Sequence, residues 1–307
     1  MVGANMKFIV LSLLAVSFAW AGSGSSTKPL QGSYPIVLSH GVLGFDDTKG
    51  LVGGLIKYWG GMDEHLRSQG AAVLTPGTNP MQSVQNRAND QKNQINLWIA
   101  ANGYSKVHII AHSQGALVSR YMTSSLGMAP KVSTITSING VNRGTPVADI
   151  ALAVIPSWLQ PSVNIVINVL SKVIYGKTQQ DLIAMTSSLT VANVNALNNT
   201  NPNMAGVKYY SYGSHITLPD LIQHPIMGLA YPITWTGGVF NGQGGTNDGV
   251  VPLSSQKWGT WKGGPSYGIF TTGVDHIQAT NFSYMGETWY NVRQYYLTMA
   301  SNAKSNQ

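Results

Sequence analysis

The chain has 307 residues, of which only 9% are charged, and it contains no cysteine. A disulfide framework, a thiol nucleophile and a Cys-ligated zinc are therefore excluded, and the fold must rest on its own core. The formal net charge is +7, but Lys and Arg are scattered, with no run that could neutralise adjacent phosphates, which argues against a nucleic-acid partner.

Met6 and Lys7 lead into an apolar run over residues 8–20 that closes on the small-x-small sequence Ala19-Trp20-Ala21. A charged n-region, an apolar h-region and a small-residue cleavage site predict a secretory signal peptide over residues 1–21. The run is short for a membrane span, and no later stretch is apolar for the required length. The expectation is a secreted chain with no transmembrane segment in its mature part, residues 22–307, folded as a single domain.

From Tyr34 onward, short apolar runs alternate with segments of helical period. This is the pattern of parallel strands joined by crossover helices. Residues 35–39 read as the first strand, residues 55–68 as a helix, residues 71–75 as a second strand and residues 82–101 as an amphipathic helix. Residues 107–110 are nearly all apolar, as a strand covered on both faces should be. A helix over residues 114–122 and a strand over 132–138 follow. Residues 147–175 are mostly apolar and are divided by Pro156 and Pro161, which predicts a helical cap within an insertion spanning about residues 147–200. Residues 231–245 are rich in Gly and aromatics without clear period, and are read as loop with at most one strand. The sheet resumes near residues 207–212, and residues 289–296 open a C-terminal helix. The fold class is α/β, a mostly parallel sheet with helices on both faces.

Ala111-His112-Ser113-Gln114-Gly115 lies between a predicted strand and a predicted helix. That context holds a serine out as a nucleophile on a sharp turn, where close strand-to-helix packing admits only very small residues two positions either side. A serine nucleophile needs a general base, and the base needs an acid to orient it, in the order serine, acid, histidine for this architecture. Of seven histidines, His40, His65, His108 and His112 precede Ser113, and His215 and His224 precede the best acid; His276 follows it and is the predicted base. Asp248, in Thr246-Asn247-Asp248-Gly249, is the predicted acid. Asp275 adjoins the histidine and is read as a solvated loop carboxylate, and Asp149 lies too early, inside the cap. The oxyanion of an acyl-transfer intermediate needs two backbone N–H donors. Gln114 supplies one by position, and Val42, in Ser39-His40-Gly41-Val42-Leu43-Gly44, is the predicted second.

Taken together, residues 34–41, residues 111–115, residues 136–142, Asn247-Asp248-Gly249 and Asp275-His276-Ile277 resemble the bacterial true lipases of family I, the Proteus-like and Pseudomonas-like triacylglycerol lipases. The likeness implies an α/β-hydrolase fold, hydrolysis of triacylglycerol esters at an oil–water interface, and a mobile helical lid matching residues 147–175. A secretion foldase is among the partners it brings. Related lipases also carry a structural calcium, held partly by an aspartate two residues beyond the catalytic histidine. Here that position is Gln278, with Asp220 as a match to another ligand, and the chemistry itself requires no cofactor. The same triad would serve a carboxylesterase or a polyester depolymerase, and the remote alternative is a non-catalytic secreted binding protein on the same fold.

Overall fold

In a computed structural model, residues 27–48, 50–51, 54–154, 157, 160, 164, 179–282 and 290–307 are described. The signal-peptide segment and most of the predicted lid, beyond residue 154, lie outside them. Six parallel strands form one sheet in the order β2-β1-β3-β4-β5-β6: β1 is Ile36–Ser39, β2 Val73–Leu74, β3 Val107–His112, β4 Val132–Ile138, β5 Lys208–Tyr212 and β6 Thr260–Trp261. The helices are α1 (Met62–Ser68), α2 (Val84–Asn102), α3 (Gln114–Ser124), α4 (Pro146–Val154), α5 (Leu182–Ser187), α6 (Val191–Thr200), α7 (Met227–Phe240), α8 (Leu253–Gln256) and α9 (Val292–Ser305).

Every residue of β3 and β4 is buried, because helices cover both sheet faces. The period of two sorts their side chains. Val37, Ile109, Ala111 and Ile135 point to one face and pack with Val84, Ala88, Ile95 and Leu117 of α2 and α3. Ile36, Leu38, Ile110 and Ile138 point to the other and pack with Met62 and Leu66 of α1 and Met299 and Ala300 of α9. The strand order reverses direction across β1 and β3, so a crevice opens beyond their carboxyl ends. Ser39 and His112 end those two strands in register, with Ser39 opposite Ala111, and the turns that follow them face each other.

Two predicted elements differ from those observed. The helix read over residues 55–68 begins only at Met62, because Gly60 and Gly61 hold positive φ of 49° and 83° that a helix cannot contain. Residues 231–245, read as loop, fall largely within α7. That helix is apolar on most sides, with Pro232 in its interior, so its pattern lacks the contrast that marks an amphipathic helix. Its Gly237 lets it approach α4 closely: a Cβ there would stand 2.4 Å from Cβ of Pro146. The helices α4, α5 and α6 lie in the predicted insertion, and α4 packs against α5, α6 and α7.

Candidate active site

Ser113 occupies the turn between β3 and α3 with φ 56° and ψ −127°, a backbone conformation that a non-glycine residue adopts only under constraint. The constraint is visible at Gly115, where a Cβ would come within 2.3 Å of the Ser39 carbonyl oxygen and 2.8 Å of that of His40. Backbone packs against backbone here, so α3 can start immediately after Ser113 only if residue 115 is glycine. The Ser113 N–H is held by the Ile138 carbonyl oxygen at 3.2 Å, which ties the turn to the end of β4.

Asp248 and His276 meet side by side. His276 Nδ1 donates to Asp248 Oδ2 at 2.7 Å, and the His276 backbone N–H donates to the Asp248 carbonyl oxygen at 2.9 Å. Asp248 is fully buried, and its charge is met by other donors as well: the N–H groups of Val250 and Val251 reach Oδ1 at 3.1 and 2.8 Å, and Asn139 Nδ2 reaches Oδ2 at 2.8 Å. Four donors on a buried carboxylate hold it oriented. No regular strand leads into Asp248; Asn247 makes isolated bridges to Ile216 and Pro252 instead. His276 is next to the Ser113 turn, its ring centroid 4.5 Å from that of His112. Among the described residues, no hydrogen bond joins Ser113 Oγ to His276.

The loop after β1 lies directly against Ser113. A Cβ on Gly41 would stand 2.7 Å from the Ser113 Cβ, so the backbone of residues 41–42 runs past Ser113 at close range. Gln114 opens α3, where an N–H has no partner within the helix. Among the described residues neither that N–H nor the one of Val42 is taken up by a protein acceptor. Behind both sits Arg87 of α2, 1% exposed. Its guanidinium donates to the His40 carbonyl oxygen at 2.6 Å and His40 Nδ1 at 2.8 Å, to Thr78 Oγ1 at 3.1 Å, and to Gln114 Oε1. It thus holds the residues that precede and carry the two free donors. The polar pattern of α2 gave no sign of this role, since a polar side chain on an amphipathic helix reads as surface.

Asp275 departs from expectation. It is buried, not solvated, and its carboxylate accepts from His224 Nδ1 at 3.0 Å and from the N–H groups of Ile277 and Gln278 at 2.9 and 2.8 Å. The carboxylate folds back over its own turn as a cap and leaves His276 to Asp248. Gln278 is equally committed: its Oε1 accepts from the Asp275 N–H at 3.1 Å and its Nε2 donates to the Gln223 carbonyl oxygen at 2.9 Å. Asp220 Oδ1 accepts from the Ile222 N–H at 2.9 Å. Calcium needs several carboxylate and carbonyl oxygens turned to one point. An amide tied at both ends and an aspartate folded onto its own backbone do not fit that ion.

No family model matches the chain. It is similar to a triacylglycerol lipase of Vibrio cholerae, 31% identical over 285 residues, which cover 82% of this chain and 85% of that protein. Of the solved structures, a metagenomic carboxyl esterase superposes with a TM-score of 0.65 at 16% identity, covering 90% of this chain and 76% of the esterase. Lipase 1 from Pelosinus fermentans superposes with a TM-score of 0.61 at 20% identity, covering 90% and 99%. At such identities the structural likeness speaks for the α/β-hydrolase fold alone.

Proposed function

The chain belongs to the bacterial triacylglycerol lipases of the α/β-hydrolase superfamily, and from that premise we propose that it hydrolyses triacylglycerol esters through an acyl-enzyme on Ser113, with His276 as base and Asp248 as its orienting acid. The observation that carries this reading is the buried Asp248–His276 pair standing beside the strained Ser113 turn. His276 takes the Ser113 proton as Oγ attacks the ester carbonyl, and the N–H groups of Val42 and Gln114 receive the oxyanion. His276 then protonates the departing alcohol, activates a water and returns the proton to Ser113 on deacylation. Asp248 keeps the proton of His276 on Nδ1, which leaves Nε2 as the base, and stabilises the imidazolium that forms. No metal enters these steps, and the Gln278 amide, held at both ends, offers no ligand to calcium at that position.

The surface beside the site supports a lipid ester substrate. Residues 221–247 contain no Asp, Glu, Lys or Arg. Within and next to them Ile222, Leu229, Phe240, Ile269 and Phe270 are exposed, the last at 85%. Exposed apolar area of this extent marks a contact with something apolar. Among the described residues no helix is long and apolar enough to cross a membrane. The apolar run and cleavage signal of residues 8–21 support export.

Two measurements test the reading. Ser113→Ala should lose hydrolysis by several orders of magnitude and lose labelling by a fluorophosphonate, with its unfolding midpoint kept. Rates on emulsified long-chain triglyceride should exceed those on soluble short-chain esters and rise once an interface forms. A Ser113→Ala variant as active as the parent would refute the mechanism, and the opposite substrate preference would make the enzyme a carboxylesterase.

A further inference from the structure

Tyr58 and His112 belong to none of the roles assigned above, yet both are buried at the centre of the site, at 6% and 3% exposure. The Tyr58 hydroxyl accepts from the Gly41 N–H at 2.8 Å and lies 2.6 Å from His112 Nδ1; His112 Nε2 lies 3.0 Å from the His276 carbonyl oxygen. The chemistry of these atoms admits one arrangement. A carbonyl oxygen only accepts, so Nε2 must carry the proton and donate to His276. An amide N–H only donates, so the Tyr58 oxygen accepts from Gly41 and turns its own hydrogen to His112 Nδ1. Neutral imidazole has one N–H, and each atom in the chain is then used once. Burial holds the His112 pKa well below its ordinary value, reinforced by the neighbouring His276, which keeps the ring neutral.

The chain of bonds joins three segments that the sequence keeps far apart: Gly41 in the loop before Val42, His112 at the end of β3 one residue before the nucleophile, and His276 itself. We propose that Tyr58 and His112 are positioning residues which, through this single relay, set the distances among the oxyanion donor at Val42, Ser113 and the base His276. The proposal rests on the triad reading given above. Gly41 passes so near Ser113 that any freedom in its N–H would carry Val42 with it. His112 is covalently adjacent to Ser113, so its tie to the His276 carbonyl fixes nucleophile and base to each other through one ring. The neutral state matters too: the His112 ring stands 4.5 Å from the ring that must become an imidazolium in the transition state, and a cation there would oppose it.

Tyr58→Phe tests this, because the ring stays packed edge-on against Phe45, Trp59 and Phe282 while only the hydroxyl is lost. On a soluble p-nitrophenyl ester, kcat should fall by about 100-fold with KM within about threefold, since a displaced oxyanion donor acts on the transition state. Fluorophosphonate should still label Ser113 to full stoichiometry, but slowly. His112→Asn keeps an amide near Nδ1 and loses the reach to His276; His112→Gln does the reverse, and each should lower kcat in the same way. The double variant Tyr58→Phe/His112→Asn should be no slower than the worse single variant, as for groups acting as one unit. Parent-like kcat in Tyr58→Phe, or multiplicative losses in the double variant, would overturn the relay. Loss of labelling stoichiometry alongside kcat in both Tyr58→Phe and His112→Gln would assign the pair to folding and overturn it as well. Failure of the parent to label at Ser113 would instead refute the triad reading, which keeps the two outcomes distinct.

Discussion

Arg87→Met separates the architecture of the oxyanion loop from the stability of the fold. Arg87 is buried, burial holds its pKa down to about 10, and among the described residues no carboxylate lies within salt-bridge distance of it. Methionine matches its stem and removes the charge. Three residues, His40, Thr78 and Gln114, lose a donor, at about 1–3 kcal/mol for each buried group left unpaired. Against that stands the relief of not burying a guanidinium that only neutral acceptors solvate, worth several kcal/mol in the opposite direction. The two nearly offset, so the stability change by urea unfolding should stay below about 3 kcal/mol. Activity has no such offset. The His40 carbonyl anchors the peptide that leads to Val42, and Gln114 carries the other donor, so kcat should drop by about 100-fold to 1,000-fold, the cost of losing one oxyanion donor. Arg87→Lys should do little better, because a single ammonium cannot span four acceptors fixed by a planar fork. The assay is kcat per fluorophosphonate-titrated site beside a urea titration of the same sample. A variant with kcat within about threefold of the parent would refute the claim that Arg87 holds the loop.

Three further outcomes follow from the geometry. Gly115→Ala places a methyl 2.3 Å from the Ser39 carbonyl oxygen and must push α3 off β1, so it should cost more than about 3 kcal/mol in urea unfolding and abolish labelling of Ser113. His108 is buried in β3, its Nδ1 2.9 Å from Thr134 Oγ1, and burial lowers its pKa from 6.5 to about 4. Folding thus excludes a proton that the unfolded chain binds, so the stability is fully present above pH 6.5 and is lost as pH falls towards 4, by about 3 kcal/mol; His108→Gln should lessen the difference in urea midpoint between pH 7 and pH 4.5, and an unchanged difference would refute the assignment. Chelation with EDTA should leave both the unfolding midpoint and the esterase rate where they were, and a drop restored by added calcium would refute the reading that Gln278 and Asp220 do not fit that ion.

What the sequence made legible was what is local along the chain. The β1 and β3 strands read as largely apolar runs because both their faces are covered, and the Ser113 turn is written within five consecutive residues. Asp248 and His276 could be chosen by order alone, since the fold threads its catalytic loops in a fixed sequence. The helix α7 was hidden because apolar residues on most sides, with glycines and Pro232, erase the contrast that periodicity needs. Asp275 was misread for a different reason: a carboxylate beside a turn looks solvated unless its partner, His224, is known to arrive from fifty-one positions away. Arg87 and Tyr58 belong with it. Each closes bonds to residues distant in the chain, and nothing in its own neighbourhood distinguishes it from an ordinary polar position on a helix or loop. The order of residues therefore points to the groups proposed to react, whereas the groups that hold them in place are defined by closures between segments remote in the chain. On that argument the damage from Tyr58→Phe or Arg87→Met should appear in kcat, because those side chains contribute geometry to the transition state and not contact to the substrate.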